Sequence, residues 1–279
     1  MDADYLTSEP YFHNEDVALY LDDCLAVLPS LDAHSIDMIF ADPPYNLSNG
    51  GVTCRGGKMV CVNKAHWDKS RGLVNDFEFT VKWLEECRRV LKPNGTIWIS
   101  GTMHNIYSVG FALQALRFHI MNEITWFKPN GSPNLSCRYF AHSHETVLWA
   151  KKSRKAKHKF NYKLMKDWEA DLINKRGKQM RSVWTIALTP LREKSNGRHP
   201  TQKPVELLKR IIASSTAKED VVLDPFNGSG TTGVVANLLG RKYVGIEKER
   251  EYLDLTLKRL GVKDQLKLSS VPGVFRTQV

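Results

Sequence analysis

Ser35-Ile36-Asp37-Met38-Ile39-Phe40-Ala41-Asp42-Pro43-Pro44-Tyr45 is the stretch on which the reading of this chain turns. Ile36 to Ala41 is a nearly continuous apolar run, as expected of a strand covered on both faces. Pro43 and Pro44 fix φ and donate no backbone N–H, so they stop the strand ladder and set the direction in which the chain leaves it. They also leave carbonyls without a strand partner. Asp42 and the adjacent Pro43 carbonyl can together receive both hydrogens of an exocyclic amino group, and Tyr45 offers a face to a planar ring. Such a set suits a nucleobase turned out of its stack. Taken alone, the motif is equally a strand end followed by a turn.

Outward from this stretch, helical and strand-like periods alternate. Ala18 to Leu21 reads as a short strand, with Asp23-Cys24 and a brief helix ending near Pro29 behind it. Residues 46–75 carry Gly50, Gly51, Gly56 and Gly57 and keep no period, which predicts a long functional or mobile loop. Asp76 is the expected N-cap of a helix whose apolar positions are Phe77, Val81, Leu84, Cys87 and Leu91, ended by Lys92-Pro93-Asn94-Gly95. Strands are expected at 96–100, 120–127 and 146–150, with a helix at 106–116. Beyond His199-Pro200-Thr201-Gln202-Lys203-Pro204 comes a helix bearing Leu207, Leu208, Ile211 and Ile212, a strand at 221–223, a helix at 234–239 and a strand at 243–246. A final helix carries Tyr252, Leu253, Leu257 and Leu260. The order implies an α/β fold, a doubly wound and mostly parallel sheet with helices on both faces.

Bulk properties narrow the function class. The 279 residues suffice for one sizeable core, and 42% hydrophobic content with seven Trp excludes a disordered chain. The formal charge of +10 suits a partner carrying phosphates. Residues 151–181 hold twelve Lys or Arg against three Asp or Glu, with Phe160, Tyr162 and Trp168 interleaved, and are expected to touch nucleic acid. No apolar stretch reaches the ~20 residues that span a bilayer, and the acidic N-terminus is unlike a signal peptide, so the cytoplasm is the expected setting. The five scattered cysteines form no C-x-x-C pair and frame neither disulfides nor a zinc knuckle. His142, His144 and Glu145 offer metal-ligand chemistry without a third ligand cluster; no metal is expected.

Asp224-Pro225-Phe226-Asn227-Gly228-Ser229-Gly230 lies between a strand and a helix. Its glycines let a ligand approach the backbone, the helix N-terminus adds N–H groups and partial positive charge, and Glu247 ends the next strand where a carboxylate can hold ribose hydroxyls. The reading is a nucleoside-containing cofactor across the carboxyl ends of the strands. Gly228, Gly230 and Gly233 also match the dinucleotide fingerprint, a weak signal by itself.

D-P-P-Y, then H-P-T-Q-K-P, then D-P-F-x-G-S-G-T-T, in that order, resembles the β group of S-adenosylmethionine-dependent DNA amino-methyltransferases. Stretches such as 40–51, 98–101, 104–110 and 133–140 are similar to DpnA-type adenine methyltransferases. The resemblance covers about residues 15–260 and implies a Rossmann-like methyltransferase fold with an antiparallel edge strand. It implies a catalytic half at 1–150 with the mobile loop 46–75, a basic target-recognition insertion at 151–198, a cofactor-binding half at 199–262 and a tail at 263–279. By motif, Asp42, Pro43, Pro44 and Tyr45 would be catalytic. Asp23, Cys24, His199, Thr201, Lys203, Asp224, Phe226, Asn227, Gly228, Ser229, Gly230 and Glu247 would hold the cofactor, with Lys203 pairing its carboxylate. Asn227 departs from the Ala, Val or Met common there. DNA contacts are expected from Asn46, Arg55, Lys58, Arg138, Lys151, Lys152, Arg154, Lys155 and Lys157.

The reaction so implied moves a methyl group from S-adenosylmethionine to adenine N6 of a flipped base, in GATC by the DpnA-type likeness, within a restriction-modification system. Single- or double-stranded DNA, a homodimer and a cognate restriction endonuclease are left open as partners. Cytosine N4 is the neighbouring alternative, disfavoured because cytosine members usually carry Ser at the Asp42 position. A nicotinamide-dependent oxidoreductase and a non-catalytic DNA-binding protein are the alternatives from other classes.

Overall fold

The structure is a computed structural model that describes residues 9–47, 52–55, 58–61 and 68–262, with the backbone alone described for 52–55 and 58–61. In chain order the elements are β1 (Phe12–His13), β2 (Val17–Leu21), α1 (Cys24–Val27), β3 (Ile36–Ala41), β4 (Val52–Arg55), β5 (Lys58–Cys61), α2 (Leu73–Val90) and β6 (Leu91–Gly101). There follow α3 (Ile106–Ala115), β7 (His119–Phe127), β8 (His144–Lys151), α4 (Tyr162–Lys166) and β9 (Val183–Thr185). The chain closes with α5 (Val205–Ser215), β10 (Val221–Asp224), α6 (Thr231–Leu238), β11 (Lys242–Glu247) and α7 (Arg250–Leu260).

Among the described residues, nine strands form one sheet in the order β1-β2-β11-β10-β3-β6-β8-β7-β9, and β4 and β5 make a separate ribbon. From β2 through β6 all pairings are parallel, so the apolar run of β3 lies in the middle. Pleating sends Met38 and Phe40 to the core shared with α5, α6 and α7, and Ile39 and Ala41 to the core shared with α2 and α3. The expected doubly wound sheet is present. Direction reverses at the β1 edge and at β8, which runs antiparallel to both β6 and β7.

Several boundaries differ from the sequence expectation. The helix expected to be capped by Asp76 begins earlier, with Gly72 at the N-cap. Asp76 sits in its first turn and accepts from Ser70 Oγ at 2.6 Å and from Arg71 N at 2.9 Å, tying the incoming chain to the helix. Lys92 to Gly95 does not leave the sheet but is absorbed into β6 as an irregularity between the Ile36–Leu91 and Met38–Thr96 pairs. The span 46–75, expected as a loop, contains the β4–β5 ribbon and the start of α2.

The segment 151–198 contributes β9, which pairs in parallel with β7, and buries Trp184 in the same core as Trp98 and Trp149. Trp98 and Trp149 stack at 4.6 Å between ring centroids, an arrangement worth about 0.5–1.5 kcal/mol beyond the area it buries. Arg210 on α5 reaches across to Asp171 at 2.8 Å, and burial is offset by that partner and by Asn174, holding the Asp171 carboxyl down at about 2. No helix among the described residues is long and apolar enough to cross a membrane.

Candidate active site

β3 and β10 are neighbours in the sheet, yet the chain leaves them in opposite directions, β3 toward β6 and β10 toward β11. Crossovers that diverge in this way open a crevice at the carboxyl ends of the strands. Asp42 follows β3 and Asp224 ends β10, so two motifs from opposite ends of the sequence meet across that crevice.

Between them lies a cavity of about 230 Å³ whose walls include Asp42, Pro44, His199, Lys203, Asp224 and Phe226. Asp23, Cys24, Thr201, Asn227, Gly228, Ser229 and Glu247 also face it. Gly230 is set behind the wall at φ +71°, where a Cβ would strike the Thr256 side chain at 2.4 Å, so the turn admits only glycine. Arg259 Nη1 binds the Ser229 carbonyl at 2.7 Å and Thr231 Oγ1 at 2.8 Å, pinning the same turn from α7.

The electrostatics of this cavity are acidic. Burial pushes the Asp224 carboxyl up to about 7, although Oδ2 accepts from Thr232 Oγ1 at 2.5 Å and Oδ1 from Phe226 N at 3.0 Å. Burial likewise raises Glu247, whose oxygens accept from Gly228 N at 2.7 Å and Glu249 N at 2.9 Å. His199 packs edge-on to Tyr252 at 4.3 Å, and burial beside Lys203 and Arg259 holds its pKa down at about 3, so its ring is neutral. Buried carboxyls around an aromatic slot fit S-adenosylmethionine: a bound cation offsets the burial of Asp224, and Glu247 retains lone pairs for a ribose.

On the far side of Asp42 a second cavity, about 430 Å³, is lined by Tyr45, Trp126, Lys128, Tyr139, His142 and Glu145. Thr201, Gln202 and Lys203 border both cavities, so the wall between them is thin. In that wall Asp42 Oδ1 accepts from Tyr45 Oη at 2.6 Å and Ser100 Oγ at 2.5 Å, while Oδ2 accepts from Lys203 Nζ at 2.5 Å. Glu145 Oε1 accepts from Lys128 Nζ at 2.9 Å, and its Oε2 lies 3.1 Å from Tyr45 Oη, sharing that hydroxyl's one hydrogen with Asp42. Burial opposes ionisation of Glu145, but Lys203 and Lys128 outweigh it and lower its pKa. Lys203 is likewise buried, yet Asp42 and Glu145 hold its pKa above the ordinary lysine value. Two carboxylates and two ammonium groups therefore face one another in charge balance.

The structure gives several of the expected site residues protein partners of their own. Lys203, expected on the cofactor carboxylate, is engaged by Asp42. The Asn227 side chain is held by the protein itself: Nδ2 donates to Gly228 O and Thr256 Oγ1, and Oδ1 accepts from Tyr243 Oη at 2.7 Å. It braces the turn. Cys24 is buried against α2, and Asp23 caps α1 through Leu25 N while lining the cavity edge. Tyr45 is 7% exposed and lines the second cavity rather than the first, with Lys203 Nζ 5.1 Å from its ring centre.

The basic segment starts at the end of β8 remote from Ser100. Lys151 ends β8 opposite Thr96, whereas Thr146 is opposite Gly101, next to Ser100. Five residues of strand, about 17 Å, separate the two ends. Lys152 is buried with Nζ on the Leu91 carbonyl, Lys151 Nζ binds the Ala156 carbonyl, and Arg154, Lys155 and Lys157 are exposed at that same remote end. Arg138 is exposed on the loop that lines the second cavity, and Asn46 lies beside Pro43 in a recess against α2 and α3. Arg55 and Lys58 pair across the β4–β5 ribbon, and their side chains lie outside the described residues.

Sequence reading missed Ser100, Glu145 as a partner of Tyr45, and Asp68. Asp68 accepts from three successive backbone N–H groups, those of Tyr45, Asn46 and Leu47, at 2.9–3.1 Å, and so fixes the chain leaving Pro44. Ser100 was signalled by its place at a strand end; Asp68 had no signal.

Comparison with known proteins agrees with this geometry. Residues 36–258 match the family model described as DNA methylase. The chain is 53% identical over 256 residues to the Type II methyltransferase M2.LlaDCHI of Lactococcus lactis subsp. cremoris, covering 91% of this chain and 93% of that one. It is 52% identical over 261 residues to the Type II methyltransferase M2.DpnII of Streptococcus pneumoniae, covering 93% and 95%. Among solved structures, the complex of M1.HpyAVI with SAM superposes with a TM-score of 0.63 at 28% identity, over 88% of this chain and 98% of that one.

Proposed function

The chain belongs to the DNA methylase family and is an S-adenosylmethionine-dependent DNA methyltransferase, and from that premise we propose that it methylates N6 of adenine in GATC on a base flipped from DNA. The observation that carries the assignment is the thin wall between the two cavities, where Asp42 lines the first and its hydrogen-bond partners Tyr45 and Lys203 line the second.

S-adenosylmethionine, when bound, supplies a methyl group on a positively charged sulfur that leaves as a neutral thioether. The chain's own residues do the rest. Asp42 and the Pro43 carbonyl accept the hydrogens of the target amino group, favouring the pyramidal nitrogen that develops as its lone pair forms the new N–C bond. An ionised carboxylate has about four lone-pair sites, and three are taken by Tyr45, Ser100 and Lys203. One is left for substrate, and a second is freed when Lys203 leans to Glu145, already 3.7 Å away. The proton lost from the methylated nitrogen passes to Asp42 and on to water. Tyr45 supplies the rigid wall against which the base is held. The Asp at position 42 favours adenine over cytosine.

The target-recognition role of 151–198 is part of the same proposal; the segment is anchored to α5 through Asp171 and Arg210. So are a cognate restriction endonuclease, in keeping with the Type II names of the relatives, a cytoplasmic setting, and a homodimer, for which the exposed Tyr107 and Phe111 of α3 offer a surface. Expression in a methylation-deficient host followed by sequencing of modified positions tests the assignment. N6-methyladenine confined to GATC is expected; unmodified DNA would overturn it.

A further inference from the structure

Phe140 is 94% exposed, more than any other large apolar side chain among the described residues. Its loop is nevertheless a built one. Lys128 N donates to the Ser143 carbonyl at 2.7 Å, closing the loop between β7 and β8, and Gly131 N donates to the Lys128 carbonyl at 3.1 Å. Asn134 Oδ1 accepts from Ser136 N and Ser136 Oγ, while its Nδ2 donates to the Tyr139 carbonyl at 2.6 Å. The residue just before Phe140 is thus fastened.

Position gives the exposure a meaning. Tyr139 and His142, whose rings stand 5.6 Å apart, line the same cavity as Tyr45 and Glu145, so Phe140 lies at its rim between two wall residues. Exposed Arg138 supplies a cation two residues earlier. A flipped base leaves a gap in the duplex at a cost in unstacking, and apolar side chains such as Phe enter between base steps in other DNA-binding proteins.

Resting on the assignment above, we propose that Phe140 is a wedge that enters the base stack of double-stranded DNA as the target adenine leaves it. The ring has the flat apolar face a neighbouring base pair requires, and Arg138 meets the adjoining phosphate. A single strand has no stack to fill, so the residue serves only the duplex substrate.

The test is single-turnover transfer of labelled methyl groups by the full chain and by Phe140→Ala, on a GATC oligonucleotide presented as duplex and as single strand. The expected result is at least a tenfold slower reaction on the duplex with single-strand rates within twofold of the parent. Phe140→Trp should restore most of the duplex rate. With 2-aminopurine at the target position of a duplex, the fluorescence rise on binding should shrink in Phe140→Ala. An unchanged duplex rate, or an equal loss on both substrates, overturns the wedge and leaves at most a surface contact. Absence of transfer by the parent protein to either substrate overturns the underlying assignment instead.

Discussion

The Lys203 ammonium lies 2.5 Å from Asp42 Oδ2 and 3.7 Å from Glu145 Oε2, joining a residue that precedes α5 to the exit of β3 and the start of β8. One cation thereby sets the spacing of two buried acids. Removing one partner of a buried pair leaves an uncompensated charge and costs about 3–5 kcal/mol. Lys203→Met should lower the thermal midpoint and cut the single-turnover rate at least a hundredfold. A rate within fivefold of the parent would remove Lys203 from the machinery.

Glu145→Gln keeps an acceptor for Tyr45 Oη and removes only charge. Because Glu145 is absent from the walls of the cofactor cavity, calorimetric affinity for S-adenosylmethionine should stay within twofold while the transfer rate falls about tenfold. Equal loss of binding and rate would mean that Glu145 merely supports the fold.

Asp224 gives a pH signature. Its folded pKa of about 7 lies above its ordinary value of 3.8, so the free protein gains from its protonated form. That contribution to stability is fully present below 3.8 and is lost as pH rises through 7. A cationic ligand favours the ionised form, so binding of S-adenosylmethionine should release protons near pH 6–7 and tighten as pH rises. Titration calorimetry in buffers of different ionisation enthalpy reads the release, which should vanish in Asp224→Asn.

The sheet was legible in the sequence because the run from Ile36 to Ala41 is apolar on both faces, and the crevice because Asp42 and Asp224 each end such a strand. Which strand reverses was not legible in periodicity. β8 has the apolar content of the parallel strands but runs against both β6 and β7, which brings Glu145 to the site and carries Lys151 away from it. The partners of the clustered lysines were not legible either: Lys152 Nζ lies on the Leu91 carbonyl and Lys159 Nζ on Asp220. Asp68 escaped because a carboxylate that binds backbone amides leaves no periodic trace.

The distance of Arg154, Lys155 and Lys157 from Ser100 and Asp42 bears on DNA binding. Replacing Arg154, Lys155 and Lys157 together with Ala should leave the salt dependence of DNA affinity unaltered. Arg138→Ala should reduce the slope by about one. The reverse outcome would return the contact surface to the far end of the sheet.

The central claim is that Asp42 directs methyl transfer to the amino group of adenine. Mass spectrometry of nucleosides from a GATC duplex incubated with the protein and S-adenosylmethionine tests it most directly. N6-methyldeoxyadenosine from the parent and none from Asp42→Ala is the expected result. N4-methyldeoxycytidine as the main product, or undiminished methylation by Asp42→Ala, would contradict the account.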